Sequence, residues 1–374
     1  MVILLISFLV AALATLIAVR GSAQHLSLLG DTERSQPQKF HSRVVPRIGG
    51  FGIALGVIAG LAIAMPQIAS GRLTQLLVLA GASLLVLGVG LLEDITKRIT
   101  PRQRMLVTLL AAALTLWLAE IGIERTDLAG IDPALQIFGV SFLLTLFAVS
   151  GVVNSINIID GFNGLASMCV AIMLAALAYV AYQVGDTLVL SCALATLGAV
   201  LGFFVWNYPL GLIFLGDGGA YFLGFWVAEL GILLVQRNLT VSPIFPLLLC
   251  AYPIFETVFT MYRRKIVRGR PMGLPDATHL HSLIYRRIMR WAIGRQDAAA
   301  LLKRNSMTSP YLWVMCSLTA IPAVLWWDNS TVLQFCLGGF CVFYVLVYRA
   351  IVRFRTPKLL LRNELPWSLT KSAG

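Results

Sequence analysis

The sequence has few charged residues, and acidic residues are the scarcest of them. Only 12% of the 374 residues are Asp, Glu, Lys or Arg, and 17 residues are acidic. Hydrophobic residues account for 58% of the chain, and the mean hydropathy is +0.84. This composition excludes a soluble enzyme and predicts a polytopic membrane protein.

Other absences narrow the class further. The six cysteines lie in apolar segments without the spacing of metal ligands, which favours small buried hydrophobic side chains over a metal site. No basic residue precedes the first hydrophobic run, and Arg20 is the first to follow it. That order of charge predicts a retained first helix with its N-terminus outside, rather than a cleaved signal peptide. No internal repeat is visible.

Hydrophobic runs of about 17–22 residues recur along the chain, and each can cross roughly 30 Å of hydrocarbon. They predict an all-α membrane bundle of about eleven transmembrane helices. The helices are expected near 2–19, 51–66, 75–92, 105–121, 137–153, 165–184, 187–206, 220–235, 242–262, 310–327 and 331–348. An odd number of spans places the two termini on opposite sides of the membrane.

Lysine and arginine are confined almost entirely to one side of this topology. The segments near 20–50, 93–104, 263–309 and 349–374 carry 26 of the 29 Lys and Arg residues. By the positive-inside rule these segments are cytoplasmic, so the N-terminus is outside and the C-terminus inside. Topology therefore explains the net charge of +12 without a nucleic-acid partner. We predict one catalytic domain over 1–350, with cytoplasmic loops near 20–50, 93–104, 154–164, 207–219 and 263–309, and a basic cytoplasmic tail over 351–374.

The stretch NSINIIDGFNGLAS places two amides and a carboxylate between two long apolar runs. Asn154, Asn157 and Asp160 are successively one helical turn apart, so they can line one face where the preceding helix ends. An unsatisfied polar group in hydrocarbon costs several kcal/mol, so this stretch is expected inside protein or at a wet interface. A polar interhelical turn without further function is the alternative.

Two segments on the same predicted face add cations and paired acids. In QPQKFHSRVVPRIGG, Lys39, His41 and Arg43 can bind anionic substrate, or they can bind anionic lipid headgroups. In LLEDITKR, Glu93 and Asp94 sit at a helix C-terminus, where the helix dipole disfavours negative charge. A cation should compensate them, either nearby basic residues such as Lys97 or a metal ion. A solvated acidic turn is the alternative.

Glycines surround a lone acid in WNYPLGLIFLGDGGAYF. A glycine-rich entry to a helix N-terminus offers free N–H groups suited to phosphate. Asp217 would repel that phosphate unless a cation bridges the two, which makes it the best single candidate for a Mg²⁺ ligand. Asn207 opens the same segment. The alternative is that the glycines serve close helix packing in the membrane.

Polar residues also occur in and after the ninth predicted helix. Glu256 lies within that helix, where a carboxylate is either functional or paired with a neighbouring helix. The following loop, GRPMGLPDATHLHSLIYRRIMR, contains Asp276, His279 and His281. The two histidines are two residues apart and would not share a face of a helix. Hydrogen bonding to a diphosphate or sugar is therefore favoured over a zinc pair.

Carboxylates, amides, glycines, cations and histidines thus gather on one membrane face, as phosphoryl transfer requires. The segments PQKFHSRVVPRIGG, GLLEDITKRITPR, NSINIIDGFNGLAS, NYPLGLIFLGDGG and PDATHLHS resemble, in order, those of polyprenyl-phosphate N-acetylhexosamine-1-phosphate transferases. The resemblance extends from about residue 35 to 285. It is closest to the bacterial N-acetylglucosamine-1-phosphate branch, since the three-histidine run of the peptidoglycan-precursor branch is absent.

The resemblance implies transfer of a sugar 1-phosphate from a UDP-sugar to undecaprenyl phosphate in the bacterial inner membrane, releasing UMP and starting O-antigen or a related polymer. It implies Mg²⁺, or Mn²⁺ in its place, held by Asp217 and Asp94. The implied catalytic residues are Glu93, Asp94, Asp160 and Asp217. The implied substrate-binding residues are Lys39, His41, Arg43, Lys97, Asn154, Asn157, Asn207, Asp276, His279 and His281.

The sequence departs from the family pattern at three positions. Glu93 replaces the first of two aspartates, Asn163 stands where many members have an acid, and Gly219 stands where serine is common. Glutamate is one methylene longer than aspartate, so the role of Asp94 is better supported than that of Glu93. The oligomeric state is left open between a monomer and a homodimer.

A single displacement by the lipid phosphate on the β-phosphorus is the favoured mechanism. A monoester phosphate with a second pKa of about 6 is already largely ionised near neutrality, so no strong base is needed. A covalent aspartyl-phosphate is the rival route. A lipid-linked sugar transporter is the hypothesis from another class, but transporters place polar residues near the midplane of repeated halves.

Overall fold

The computed structural model describes residues 1–22, 45–128, 130–267, 269, 278–293 and 297–353. Most of these residues are helical, and no β-strand occurs among them. The helices are Val2–Ser22 (α1), Gly49–Ala64 (α2), Leu73–Thr96 (α3), Pro101–Ala119 (α4), Asp132–Leu135 (α5), Phe138–Ile159 (α6), Leu165–Gln183 (α7), Thr187–Asn207 (α8), Gly216–Arg237 (α9), Ile244–Leu249 (α10), Ala251–Tyr262 (α11), Leu280–Leu283 (α12), Arg290–Ala292 (α13), Ala298–Leu325 (α14) and Ser330–Arg353 (α15).

The prediction of a polytopic helical membrane protein is confirmed. Eight helices of the described chain, α1, α3, α6, α7, α8, α9, α14 and α15, are long and apolar enough to cross a membrane. Each of the other predicted hydrophobic runs also falls on helix, although the run expected at 242–262 is broken into α10 and α11.

The most buried helix is α9, which packs against α2, α3, α6 and α7. Its large side chains Phe222, Phe225 and Trp226 are almost completely inaccessible. The first helix shows the opposite pattern, because Leu5, Leu9, Leu13 and Ile17 recur at every fourth position on an exposed face. Such an unpaired apolar stripe is what lipid requires of a peripheral helix.

The other face of α1 is bound tightly to α8. A Cβ placed on Gly198 would lie 2.2 Å from the carbonyl oxygen of Leu4, and one on Gly202 would lie 2.4 Å from that of Phe8. Small residues let membrane helices approach closely and gain van der Waals contact. The first hydrophobic run is therefore an integral part of the bundle.

The long loop expected over 263–309 contains more helix than predicted. A π-helical turn, Arg263–Val267, extends α11, and a second, Ile284–Met289, joins α12 to α13. The last part of the predicted loop belongs to α14, which begins at Ala298 and carries Pro310 in its interior. The expected helix start at 310 was wrong because proline is far commoner in a first turn than inside a helix. Of the predicted tail, only 351–353 lies within the described residues, and it continues α15.

At the end of the bundle opposite the polar motifs, one aspartate joins two helices. Asp186 caps α8, accepting from the backbone N–H groups of Leu188 and Val189 at 3.2 Å each. Its other oxygen accepts from Arg237 Nε at 2.6 Å and from Asn238 Nδ2 at 3.2 Å, at the end of α9. The carboxylate is almost inaccessible, so the pair is screened little by water.

We expect Asp186→Ala to lower the melting temperature of the detergent-purified protein markedly. The change removes a helix cap and leaves Arg237 mostly buried without its carboxylate, at a cost of about 3 kcal/mol. Asp328→Ala is the matched control, because Asp328 is an exposed acid at the same end. Equal melting temperatures for the two variants would contradict this account.

Candidate functional site

Three helices touch through their backbones at the end of the bundle that carries the polar motifs. A Cβ placed on Gly90 of α3 would lie 2.4 Å from the Cα of Gly218 in α9. A Cβ on Gly50 of α2 would lie 2.5 Å from the Cα of Gly219. No side chain fits at these points, so the end of α3, the start of α2 and the first turn of α9 converge.

The convergence places Asp94 against the N-terminus of α9. Asp94 Oδ2 accepts from the Gly218 N–H at 3.0 Å, and Oδ1 lies 3.6 Å from Arg47 Nε. The N–H of Gly218 was expected to remain open to phosphate, but in the structure it donates to this carboxylate. Close packing, the alternative raised from the sequence, accounts for Gly218 and Gly219.

Asp217 lies in the first turn of α9, where the helix dipole favours an acid. Its Oδ1 accepts from Asn157 Nδ2 at 2.8 Å, and its Oδ2 accepts from Arg104 Nη1 at 3.1 Å. The asparagine motif and the aspartate motif, which the sequence analysis placed on the same membrane face, are therefore in direct contact.

Arg104 is a site residue that the sequence analysis missed. The side chain of Thr100 caps α4 in a reciprocal capping box with Gln103, and Pro101 occupies the first turn. This start places Arg104 at the same end as the acids, with its guanidinium 5.4 Å from the ring centre of Tyr221. From the sequence alone, Arg104 could not be distinguished from the other basic residues that the positive-inside rule explains.

Asp160 ends α6 and enters the same electrostatic cluster. Burial raises the pKa of its carboxyl to about 7; the Arg47 guanidinium opposes that shift, and the Asp217 and Asp94 carboxylates add to it. Asn154, one turn earlier than Asn157, is exposed.

The turn after α6 is fixed by buried hydrogen bonds. Asn207 Oδ1 accepts from the Gly164 N–H at 2.7 Å, and Asn207 Nδ2 donates to the Ile213 carbonyl at 2.8 Å. The predicted substrate-binding amide of Asn207 is thus engaged by backbone and joins the turn to the segment before α9.

The long helix α14 supports the same turn from its other side. Asn305 Oδ1 accepts from the Asn163 N–H at 2.9 Å, and the Ser309 hydroxyl donates to the Asn163 carbonyl at 2.6 Å. Trp313 Nε1 donates to the Gly164 carbonyl at 3.0 Å. Asn305 and Ser309 were missed because residues 298–309 were interpreted as loop.

The two predicted histidines are adjacent and buried. His279 precedes α12 in an extended conformation, and the rings of His279 and His281 stack with centres 5.1 Å apart. The expectation that they would diverge holds for two helical residues, but His279 is not helical. His281 also contacts Phe162 edge-on, with ring centres 5.5 Å apart, so the pair adjoins the Asp160–Gly164 turn.

Of the remaining predicted site residues, one lies on the surface and four lie outside the described residues. Lys97 is the exposed C-cap of α3, with φ of 56°. Lys39, His41, Arg43 and Asp276 lie outside the described residues.

The acids at this end offer carboxylate oxygens to a cation such as Mg²⁺. Within the described parts of the chain, no three His, Cys, Asp or Glu side chains form a ready metal cluster. Two buried oxygens, Glu93 Oε2 and Asp94 Oδ1, nevertheless accept no hydrogen bond there. Proteins usually hold Mg²⁺ through one or two carboxylates, with waters and substrate phosphates completing the shell. The carboxylates at this end therefore fit the ion.

Comparison with known proteins covers the helices that build this site. Residues 76–235 match the family model described as glycosyl transferase family 4. A Bacillus subtilis protein named probable undecaprenyl-phosphate N-acetylglucosaminyl 1-phosphate transferase is 24% identical over 355 residues, which span 94% of this chain and 92% of that protein. Over the matched residues, which include Asp94, Asp160 and Asp217, the chain is similar to glycosyl transferase family 4.

Two further relatives differ in the share of this chain that they match. An undecaprenyl-phosphate alpha-N-acetylglucosaminyl 1-phosphate transferase of Yersinia pestis is 28% identical over 84% of each chain. A phospho-N-acetylmuramoyl-pentapeptide-transferase of Streptococcus pneumoniae is 33% identical, over 51% of this chain and 60% of its own length.

We expect Asn207→Ala to destabilise the protein by about 2 kcal/mol or more, because it leaves the buried Gly164 N–H and Ile213 carbonyl unpaired. Asn154→Ala is the matched control, since Asn154 is exposed at the same end. Melting temperatures in one detergent provide the comparison. If Asn154→Ala lowered the melting temperature as much as Asn207→Ala, the anchoring role of Asn207 would be refuted.

Proposed function

We propose that the protein transfers N-acetylglucosamine 1-phosphate from UDP-N-acetylglucosamine to undecaprenyl phosphate and releases UMP. The observation that carries this proposal is the similarity, over most of the chain, to two relatives whose names state that transfer. The site supports the proposal because it brings three acids, Asp94, Asp160 and Asp217, together with two cations, Arg47 and Arg104. Phosphoryl transfer is catalysed mainly by positioning the reactants and stabilising their charge, and less by covalent chemistry.

The reaction we infer is one displacement at the β-phosphorus of the donor. An oxygen of the lipid phosphate forms a bond to that phosphorus as the bond to the bridging oxygen breaks, and UMP leaves with its electron pair. The acceptor is already largely ionised near neutrality, so a residual proton is the only one to be removed. We infer that a carboxylate oxygen of Glu93 or Asp94 takes this proton.

The other groups of the site serve positioning and charge. Asn157 holds the Asp217 carboxylate in one orientation through its 2.8 Å hydrogen bond. Arg104 and Arg47 supply positive charge where a diphosphate would gather negative charge. Asp217 and Asp94 would hold Mg²⁺, which when bound neutralises phosphate charge and so assists departure of UMP.

We further infer the orientation of the bundle in a bacterial cytoplasmic membrane. The site is built from the C-terminal ends of α3 and α6 and the N-terminal ends of α2, α4 and α9, which share one end. The adjoining segments carry 26 of the 29 Lys and Arg residues, so the positive-inside rule supports a cytoplasmic site. We also propose that the chain crosses the membrane eleven times, with its N-terminus outside and its C-terminus in the cytoplasm.

Purified wild-type protein given undecaprenyl phosphate and UDP-N-acetylglucosamine should release UMP when Mg²⁺ is present, and chelation should stop the release. Asp217→Asn should abolish it, because the amide keeps the shape but loses the charge. Asp328→Asn, an exposed acid at the opposite end, is the matched control and should keep activity. UMP release by Asp217→Asn would disprove the metal assignment.

The same assay separates the second candidate function. The pneumococcal relative aligns at higher identity over half of the chain, which justifies testing UDP-N-acetylmuramoyl-pentapeptide as donor. Preference for that donor would replace the proposed substrate while keeping the reaction class. Silence with both donors, from folded protein, would reject the proposed function.

We expect Arg104→Gln to lower kcat/KM for the UDP-sugar by about 100-fold, because it removes a preorganised positive donor from the acid cluster. Arg104→Lys should retain more activity, since it keeps the charge. Arg98→Gln is the control, as Arg98 is exposed at the same end of the bundle. Wild-type kinetics for Arg104→Gln would show that the guanidinium is only a structural partner of Asp217.

A further inference from the structure

Glu256 in α11 is a buried carboxylate that the phosphate chemistry does not use. Its side chain is 0% exposed. Oε1 accepts from the Leu280 N–H at 2.9 Å and lies 3.3 Å from His279 Nδ1, while Oε2 accepts from the Tyr344 hydroxyl at 2.6 Å. Donors on both oxygens hold the carboxylate in one orientation.

This environment selects one tautomer of His279. Its Nδ1 lies 3.3 Å from Glu256 Oε1 and 3.1 Å from Thr260 Oγ1. An ionised carboxylate has no proton to donate, so the contact with Oε1 is attractive only when Nδ1 carries the proton. The imidazole of His279 is thereby held in position, with the proton on Nδ1 directed at the Glu256 carboxylate.

A second clamp fixes the backbone beside this histidine. Arg263 Nη1 donates to the Thr278 carbonyl at 2.6 Å and also donates to the Tyr348 hydroxyl. That hydroxyl in turn donates to the Thr278 carbonyl at 3.1 Å. Both neighbours of His279 are therefore held, Thr278 by this clamp and Leu280 by Glu256.

His281 connects the fixed imidazole of His279 to the site. The two rings stack nearly parallel, with an interplanar angle of 15°, and His281 also packs on Phe162. A Cβ placed on Gly161 would lie 3.4 Å from His281 Nε2, which locates this nitrogen beside the turn that follows Asp160.

We propose that Glu256 is a positioning residue of the transferase: through His279 it sets the His281 ring against the Asp160–Gly164 turn, where His281 binds the UDP-sugar. The proposal rests on the proposed function for the identity of the ligand. It assigns α11 and α15, both outside the residues matched by the family model, a role in the site.

A matched pair of substitutions tests this role. Glu229 in α9 is also 0% exposed, and its Oε1 accepts from the Thr115 hydroxyl at 2.8 Å. Glu256→Leu leaves the Leu280 N–H and the Tyr344 hydroxyl unpaired, and should lower kcat/KM for UDP-N-acetylglucosamine at least about tenfold per folded protein. Glu229→Leu should keep wild-type kinetics.

A double-substitution cycle separates positioning from general support of the fold. Glu256→Leu should have little further effect on kcat/KM in a His281→Ala background, because both changes remove the same interaction. A further loss as large as in the wild-type background would overturn the proposal. Glu256→Gln should recover part of the activity, since its amide oxygen can still accept from Leu280.

Nitrogen-15 NMR of labelled histidine provides a readout independent of activity. The chain has four histidines, so single substitutions can assign the signals. His279 should show a protonated Nδ1 in the wild type and lose that signature in Glu256→Leu. A wild-type protein in which Nε2 alone of His279 carries the proton would overturn the proposal. If no donor led to UMP release but the NMR result was as expected, the proposed transferase function would be rejected. The positioning of His279 by Glu256 would still stand.

Discussion

The backbone contact between Gly90 and Gly218 sets the spacing on which the acidic site depends. It brings the C-terminal end of α3 against the first turn of α9, close enough for the Gly218 N–H to reach Asp94. An acid near a helix C-terminus is unfavourable, whereas the N-terminal N–H groups of a helix favour one. The electrostatic cost of Asp94 on its own helix is thus offset by α9, and any side chain at either glycine would separate the two.

The extent to which sequence predicted this structure follows the range of each interaction. Hydrophobic runs and the turn near Asn157–Asp160 are local patterns, so the helices and the acids could be found from the sequence. Arg104 could not be separated from other basic residues, because its importance depends on a partner 113 positions away. The early start of α14 was hidden because Pro310 in the helix interior resembles a helix start.

The two ends of the bundle use charge differently. At the end of α9 opposite the site, Arg237 is paired with Asp186, and Arg125 donates to backbone carbonyls including that of Leu239 at 3.2 Å. These two cations therefore serve to stabilise the fold. At the other end, buried oxygens of Glu93 and Asp94 accept no hydrogen bond among the described residues, although Arg47 lies near. Two adjacent acids whose buried oxygens accept no hydrogen bond can take a cation, which is the property expected of a site and not of a packing contact. One further such oxygen occurs among the described residues, on Glu229 of α9.

The carboxylates and the histidines are held by different parts of the chain. Helices α2, α3, α6 and α9 fix the acids, and all but α2 lie largely within the residues that match the family model. The histidine pair is held by α11 and α15, and α14 supports the turn that both groups share. Tyr344 and Tyr348 lie four residues apart on the one buried stripe of α15, so a helix otherwise open to lipid contributes to the site through that stripe. A substitution in α15 can therefore displace His281 while the carboxylates of Asp94 and Asp217 keep their own partners.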